Sequence, residues 1–148
     1  MLRLRQASQA DARAIHQLIA AEHLNPFGLD WRRFVIAVDP AGEMIGCGQV
    51  KLHGDGSREL ASVAVIPTWR DQGVARAIIE YLLASQREPL FLTCADRLEE
   101  FYQRFGFHTV GQEAMTPYFR RLAFLGGLFF RLARRPGKLL VMRRDAAG

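Results

Sequence analysis

A buried strand followed by a glycine turn and a helix, within residues 59–83, constrains the fold of this chain more than any other stretch. Leu60 to Ile66 form a short, nearly continuous apolar run that ends at Pro67, a pattern typical of a buried β-strand. After the turn, apolar residues recur at spacings of three and four, so we expect a helix to begin close to Gly73. The first N–H groups of that helix would be unpaired at its positive end, which suits a phosphate or diphosphate.

Two short motifs of this sequence occur together in one enzyme family. Arg70-x-x-Gly73-x-Ala75, after a strand that ends Val63-Ala64-Val65-Ile66-Pro67, resembles the acetyl-CoA-binding motif of the GCN5-related N-acetyltransferases (GNAT). Phe101-Tyr102-Gln103-Arg104-Phe105-Gly106-Phe107 resembles the tyrosine-containing helix end that turns through Gly-Phe into the next strand of that family. The motifs occur in the expected order, and each lies in its expected strand–helix context. The resemblance covers about residues 1 to 112 and the final strand.

The resemblance implies an α/β fold of the GNAT type. It implies a mixed, mostly antiparallel twisted sheet of about six to seven strands flanked by helices, with an amphipathic helical insertion before the last strand. The chain has 148 residues, so we expect residues 1–148 to form a single GNAT-like acetyltransferase domain. No signal peptide and no apolar run of membrane-spanning length is visible, and we expect a cytoplasmic protein.

Periodicity and turn residues predict the other elements. Six further stretches are expected to be strands: 2–7, 34–38, 44–52, 90–94, 107–110 and 138–143. Ser8 should cap a first helix, with Asp11 in the acidic position of a capping box. That helix would end before Asn25-Pro26, and its apolar face would contain Ala12, Ile15, Leu18, Ile19 and Leu24. Asp96 can cap a later helix that closes at Gly106.

The resemblance also implies where acetyl-CoA, the cosubstrate, would bind. Its pantetheine arm would run along the central strand and bond the backbone of Val63, Ala64 and Val65, where an N–H would polarise the thioester carbonyl. Its diphosphate would bind the N–H groups of the helix start, with Arg70 nearby; these groups belong to Gln72, Gly73, Val74 and Ala75. Asp71 stands where the family prefers a small residue. Since a carboxylate would repel the diphosphate, we expect its side chain to face solvent or to cap the helix.

Amide formation from acetyl-CoA requires an oriented thioester, a deprotonated amine and a stabilised thiolate. Tyr102 stands at the position that matches the family's general acid. A phenol is protonated at neutral pH and can give its proton to a thiolate; alternatively, Tyr102 only packs against the cofactor. Glu59, at the start of the central strand, occupies a place where many relatives carry a carboxylate base that acts through water; alternatively, it is a surface glutamate. Glu22 is a second candidate base.

The loop at residues 25–31 contains two large aromatic side chains, Phe27 and Trp31. In the family this region covers the acceptor pocket, so both residues are candidates to line it. Alternatively, they fill the gap between the first helix and the sheet.

The basic residues are concentrated near the C-terminal end. The net charge is +5, but residues 114–144 contain eight basic and no acidic residues, so the remainder has 12 basic and 15 acidic residues, a formal charge of −3. Residues 115–136 are the atypical segment and predict a basic amphipathic helix, which Gly126-Gly127 would weaken or kink. Its apolar stripe would contain Tyr118, Leu122, Leu125, Phe129 and Leu132, opposite Arg120, Arg131, Arg134 and Arg135. The segment packs on the domain, forms a homodimer contact, or lies on an anionic membrane surface.

Cys47 and Cys94 lie in apolar, strand-like surroundings, which predicts two buried thiols in a reducing compartment. The four histidines show no ligand spacing, so no metal site is expected. We therefore expect an N-acetyltransferase that transfers an acetyl group from acetyl-CoA to a primary amine, on a small molecule or a peptide, by direct transfer in a ternary complex. The alternative is a non-catalytic acetyl-CoA-binding module that contacts a partner or membrane through its basic segment. Nucleic-acid binding is disfavoured, because the arginines lack an accompanying recognition motif.

Overall fold

The computed structural model of this chain describes residues 2–132 and 137–146. Its strands are β1 (Arg3–Gln6), β2 (Phe34–Val38), β3 (Met44–Leu52), β4 (Arg58–Val65), β5 (Leu90–Ala95), β6 (His108–Thr109) and β7 (Leu139–Arg144). Its α-helices in these residues are α1 (Ala12–Ala21), α2 (Val74–Leu83), α3 (Glu99–Gln103) and α4 (Pro117–Leu132). The predicted elements are therefore present in the predicted order.

The seven strands form one hydrogen-bonded sheet in the order β1-β2-β3-β4-β5-β7-β6. The pairs β1–β2, β2–β3, β5–β7 and β6–β7 are antiparallel. Strands β4 and β5 are parallel, with Glu59 opposite Phe91. The mixed, mostly antiparallel sheet of the predicted α/β fold is confirmed.

The chain divides into two compact units. The first comprises Met1–Lys51 with Leu60–Ser85, and the second comprises Leu52–Glu59 with Gln86–Gly148. The first unit has an apolar core of buried residues from α1, β2, β3 and β4: Ile15, Leu18, Ile19, Phe34, Ile36, Val38, Cys47 and Ala64. The second unit has a smaller core of Phe91, Phe119 and Val141. The assignment of residues 1–148 to a single domain stays a prediction.

A 3-10 turn, Gln9–Asp11, stands between Ser8 and helix α1, so Ser8 caps that turn and not α1 itself, and α1 ends earlier than predicted. The Ser8 N–H donates to Asp11 Oδ2 at 2.7 Å, as the capping box requires. Leu24 was expected on the apolar face, but it lies beyond the helix and is 37% exposed. The reason is a C-terminal turn in which His23 has φ 57°, the His23 N–H bonds Ala20 O and the Leu24 N–H bonds Ile19 O. These bonds form a Schellman motif, which ends a helix.

In the first unit, helix α2 lies directly against the backbone of β3 at two glycines. A Cβ added to Gly48 would stand 2.7 Å from Ile78 Cγ2, and one added to Gly46 would stand 3.0 Å from Ile78 Cδ1. Because Gly46 and Gly48 have no side chains, α2 can approach the backbone of β3 closely. Glycine within a strand often marks such a close approach.

Replacement of Gly48 by valine should destabilise the protein by about 2–3 kcal/mol, because the added methyl groups would force α2 away from β3. The free energy of unfolding in urea measures this effect. Gly54→Val is the matched control, since a Cβ at Gly54 would meet no atom within 4 Å. Equal destabilisation by the two substitutions would contradict the close packing of α2.

In the second unit, α4 packs one face on β5 and β7. Phe119 is fully buried, and its ring stacks on Phe91 with centroids 4.7 Å apart. The helix is continuous through Gly126-Gly127, so these glycines do not end it, and the expected weakening or kink stays a prediction. A Cβ on Gly126 would overlap Leu139 Cδ2, and this glycine therefore allows the helix to approach β7.

The buried face of α4 differs from the predicted stripe. Leu125 was expected on the buried apolar face, but its side chain is exposed, with 60% of the residue accessible to solvent. Phe124 (69%) and Leu128 (42%) are exposed as well. Phe119 takes the buried position because its ring stacks on Phe91, and this contact sets the rotation of the helix. Arg134 and Arg135 lie outside the described residues, as do the side chains of Phe129, Arg131 and Leu132. Within 2–132 and 137–146, no helix has both the length and the apolar character needed to cross a membrane.

The predicted cap of α3 is wrong. Asp96 lies in a 3-10 turn before α3, and the residue that precedes α3 is Leu98, without a side-chain cap. Asp96 Oδ2 instead accepts a hydrogen bond from the Lys138 N–H at 3.1 Å. The side chain therefore ties the end of β5 to the start of β7.

Candidate active site

The turn between β4 and α2 has the geometry of an anion cradle. Its backbone enters the left-handed region at Asp71 (φ 61°) and Gly73 (φ 80°), and α2 begins at Val74 with no side-chain cap. A Cβ added to Gly73 would meet no atom within 4 Å, so the space beside this glycine is open. The first N–H groups of a helix have no acceptor within the helix, and here they face room for a ligand. These features fit a diphosphate.

Three charged side chains lie at or beside this turn: Arg70, Asp71 and Glu22. Arg70 Nη2 donates a hydrogen bond to Glu22 Oε1 at the end of α1, and the Arg70 side chain is half exposed. Glu22, the second candidate base, is thus paired with a cation. The Asp71 side chain is exposed and does not cap α2, in agreement with the expectation that it faces solvent. Since a guanidinium has five N–H donors, Arg70 can hold Glu22 and still donate to an anion.

Strand β4 contains a left-handed residue just before the predicted pantetheine segment Val63-Ala64-Val65. Ser62 has φ 59°, which is strained for a residue with a side chain. Two side chains of β3 hold it: Gln49 Nε2 donates to Ser62 Oγ at 2.8 Å, and Cys47 Sγ donates to Ser62 O at 3.5 Å. A left-handed residue inside a strand redirects the peptide groups that follow it. Nothing in the sequence marks Ser62, because serine carries no preference for this conformation.

The structure separates the two aromatic candidates of the loop at residues 25–31. Trp31 packs against the core of the first unit, whereas Phe27 is 77% exposed. The loop is attached to β3 by two buried polar side chains: Lys51 Nζ donates to Phe27 O at 3.0 Å, and Gln49 Nε2 donates to Gly28 O at 3.2 Å. The position of Trp31 agrees with the gap-filling alternative, and an acceptor-binding role for either aromatic stays a prediction.

In the second unit, Glu59 is buried at the start of β4. It is 7% exposed, and its Oε1 lies 2.7 Å from His53 Nε2. The His53 ring stacks on the Tyr118 ring, with centroids 3.6 Å apart and planes 17° apart. Glu59 is therefore no surface glutamate. The pairing with His53 was missed, because the sequence shows only two polar residues on either side of a hairpin turn.

Tyr102 lies on α3 among aromatic side chains. Its ring contacts Phe101 and Phe107 edge-on, with centroids 5.0 Å and 6.2 Å away. Burial, with a smaller effect of the nearby Cys94, raises the pKa of Tyr102 to about 12. The phenol therefore keeps its proton throughout the neutral range, as a general acid requires.

Both cysteines are free and buried, as predicted. Burial raises the pKa of Cys47 to about 12 and that of Cys94 to about 11. Because the thiolate is the nucleophilic form of cysteine, neither side chain is an activated nucleophile near neutral pH. Among residues 2–132 and 137–146, no group of three His, Cys, Asp or Glu side chains is arranged to hold a metal ion.

The sequence model of one protein family matches this chain. The family is described as "Acetyltransferase (GNAT) domain", and its match spans residues 30–109, more than half of the 148 residues. The matched range contains β2 through β6 with the whole cradle, Glu59 and Tyr102. No curated protein sequence matches the chain significantly.

Solved structures of the same fold include the following three. Rv2747 from Mycobacterium tuberculosis, in complex with CoA and NLQ, has a TM-score of 0.76 at 22% identity, over 98% of this chain and 99% of that one. The ribosomal-protein-S18-alanine N-acetyltransferase of Escherichia coli has a TM-score of 0.69 at 16% identity, over 100% of this chain and 97% of that one.

N-acetylglutamate synthase from Neisseria gonorrhoeae, complexed with coenzyme A and N-acetyl-glutamate, has a TM-score of 0.73 at 18% identity. All of this chain is covered in that comparison, but it spans only 36% of the length of the synthase. At these identities, the likeness of the three structures establishes the fold.

Proposed function

Because this chain belongs to the GNAT acetyltransferase family, we propose that it transfers the acetyl group of acetyl-CoA directly to a primary amine within a ternary complex. The observation that carries the proposal is the uncapped start of α2, where Gly73 opens a space beside unpaired N–H groups. Such a cradle binds the diphosphate of a nucleotide-like cosubstrate. Its donors are the N–H groups of Gln72, Gly73, Val74 and Ala75, with the guanidinium of Arg70 beside them and the Asp71 side chain turned to solvent.

The backbone of β4 supplies the second part of the cosubstrate site. We assign Val63, Ala64 and Val65 to the pantetheine arm, because these residues follow the left-handed Ser62. A backbone N–H donor pre-positioned at the thioester oxygen would stabilise the negative charge that develops there. Hydrogen bonds from the β3 side chains of Gln49 and Cys47 to Ser62 hold the backbone of β4 in this conformation.

Two side chains move protons in the proposed reaction. Glu59 takes a proton from the acceptor ammonium through a water molecule, and the amine nitrogen then forms a bond to the thioester carbon. As the carbon–sulfur bond breaks, Tyr102 gives its phenolic proton to the departing thiolate, and the nitrogen releases its second proton, which restores the Tyr102 phenol by way of water. The products are an amide, the free thiol of CoA and protonated Glu59, which then returns its proton to solvent. Direct transfer is supported by the raised pKa values of Cys47 and Cys94, which keep both thiols protonated.

The acceptor is an amine on a small molecule or a peptide. Phe27, exposed on the loop at residues 25–31, is our candidate to contact it, and Trp31 supports that loop from the core. The similarly folded proteins suggest two classes of test compound: amino acids such as glutamate, and a peptide that begins with alanine. The two free cysteines support a reducing compartment such as the cytoplasm.

Calorimetric titration with acetyl-CoA, followed by an assay of thiol release over these amines, tests the proposal. We expect saturable binding at one site, and thiol release that requires a particular amine. A folded protein that shows no binding of acetyl-CoA would overturn the proposed function.

The exposed side chains of α4 favour a second candidate, a non-catalytic module that binds acetyl-CoA and contacts a partner or an anionic membrane. Phe124, Leu125 and Leu128 are exposed, and the first two line a cavity of about 360 Å³ together with Arg120 and Arg121. This candidate requires acetyl-CoA binding without thiol release for any amine. Flotation with anionic vesicles, abolished by the joint change of Arg120 and Arg121 to Glu, would identify the membrane as the partner.

A further inference from the structure

A cluster of polar and aromatic side chains surrounds Glu59 in the second unit. It consists of Glu59, His53, Tyr118, Phe119 and Asp55, and we refer to it as the His53 cluster. It joins three elements: the turn between β3 and β4, the start of β4 and the first turn of α4. Tyr118 and Phe119 lie outside residues 30–109, the range matched by the family, so part of the cluster comes from the atypical segment of this chain.

The contacts of the cluster hold the His53 ring in one orientation. Its Nε2 lies 2.7 Å from Glu59 Oε1, one face stacks on Tyr118 at 3.6 Å, and Phe119 meets it at 90° with centroids 5.8 Å apart. The histidine side chain is only 14% exposed, and that of Glu59 is 9% exposed. An imidazole packed on a ring face and bonded at one nitrogen cannot rotate without losing both contacts.

Tyr118, on which the His53 ring stacks, is itself held by a hydrogen bond of its backbone. Asp55 Oδ2 accepts a hydrogen bond from the Tyr118 N–H at 3.0 Å, and Asp55 Oδ1 accepts one from the Ser57 N–H at 2.9 Å. The carboxylate of Asp55 therefore links the β3–β4 turn to the start of α4. Through this link the position of Tyr118, and with it the stacked face, is set relative to His53.

The hydrogen bond also determines which atoms carry protons. In the proposed function Glu59 is an ionised base, and an ionised carboxylate can only accept, so Nε2 of His53 would carry the hydrogen of this bond. The bond occupies Oε1 and leaves Oε2 as the oxygen that can accept the substrate's proton through the water molecule. Without a donor at Oε1, a carboxylate this buried would be neither held in place nor compensated for its loss of water.

We propose that His53 is a positioning residue that holds the Glu59 carboxylate for proton abstraction, with Tyr118 of α4 as the platform that holds His53. The proposal rests on the proposed function, in which Glu59 is the base. It assigns a role to the atypical segment that requires neither a membrane nor a partner protein: the start of α4 completes the surroundings of the base.

Three substitutions separate the hydrogen bond from the shape of the ring. His53→Phe keeps an aromatic ring against Tyr118 and removes the donor; it should lower kcat by roughly 10- to 100-fold with KM for acetyl-CoA unchanged. His53→Gln restores an N–H donor at about the same reach and should recover kcat to within about threefold of wild type. Tyr118→Leu removes the platform, keeps the bond, and should lower kcat by about three- to tenfold. It also serves as an independent test if His53→Phe does not fold.

A double-mutant cycle with Glu59→Gln shows whether His53 acts through Glu59. Glu59→Gln alone should lower kcat by about 100-fold or more, and His53→Phe added to it should have no further effect. Additive losses in the double variant would overturn the proposal, because they would mean that His53 acts independently of Glu59. Equal losses for His53→Phe and His53→Gln would overturn it as well, since an N–H donor restored by glutamine would then bring no recovery of kcat.

The assay of the wild-type protein distinguishes a failure of the proposed acetyltransferase function from a failure of the role proposed for His53. If the wild-type protein binds acetyl-CoA but acetylates no amine, the proposed function fails and the role of His53 fails with it. If the wild-type protein transfers the acetyl group and His53→Phe retains the full kcat, the function stands and only the role of His53 is overturned. Titration of each variant with acetyl-CoA verifies that the cosubstrate site is intact.

Discussion

Replacement of Gly73 by glutamate is expected to weaken acetyl-CoA binding by roughly 100-fold or more, which corresponds to about 3 kcal/mol. Two effects combine at this position. The new side chain must adopt φ 80°, a conformation that costs a non-glycine residue about 1–2 kcal/mol. Its carboxylate would also enter the open space beside the start of α2 and repel the diphosphate. Calorimetric titration with acetyl-CoA measures the loss.

Gly42→Glu is the matched control for this prediction. Gly42 also has a left-handed backbone, with φ 86°, and a Cβ there would meet no atom within 4 Å. It lies in the turn between β2 and β3, so the same charge and comparable backbone strain are introduced away from the cradle. We expect normal acetyl-CoA binding by Gly42→Glu. Full retention of binding by a folded Gly73→Glu variant would contradict the assignment of the cradle.

Replacement of Tyr102 by phenylalanine should lower kcat by about 10- to 100-fold, because the departing thiolate loses its proton donor. The substitution removes one oxygen and keeps the ring that packs against Phe101 and Phe107, so acetyl-CoA binding and stability should change little. In the wild type, the pKa of Tyr102 is raised to about 12. The phenol is protonated below that value, so the donor should not be lost as the pH rises from 7 to 10.

Tyr81→Phe provides the comparison for Tyr102→Phe. Tyr81 is 41% exposed on α2, and loss of its hydroxyl should leave kcat unchanged. If Tyr102→Phe also retains full kcat while it binds acetyl-CoA normally, Tyr102 has only a packing role, and the thiolate receives its proton from another source.

The strand, turn and helix of the proposed cosubstrate site could be predicted from the sequence because their signals are local. The apolar run that ends at Pro67 and the glycine before an apolar-periodic segment predicted the strand, the turn and the helix, and the structure has β4 and α2 at those places. An anion cradle depends only on the backbone of such a turn and on the N–H groups that every helix start leaves unpaired. The sequence could not predict that Arg70 pairs with Glu22, because that contact joins the turn before α2 to the end of α1.

The surroundings of Glu59 could not be predicted. The sequence left open whether this carboxylate is a base or a surface residue, and the structure buries it against His53. His53 itself was considered only as a metal ligand, since spacing along the chain was the sole available criterion. Its contacts with Tyr118 and Phe119 join segments that are distant in the chain, and no local pattern records them.

The sequence by itself determined the order of the elements and the position of the glycine cradle, because periodicity, turn residues and helix ends depend on neighbouring residues. Only the tertiary structure decided which face of α4 is buried. Its apolar residues surround the helix so widely that several rotations satisfy the pattern, and the stacking of Phe119 on Phe91 selects one of them. That rotation exposes Leu125, brings Tyr118 onto His53 and thereby completes the environment of Glu59.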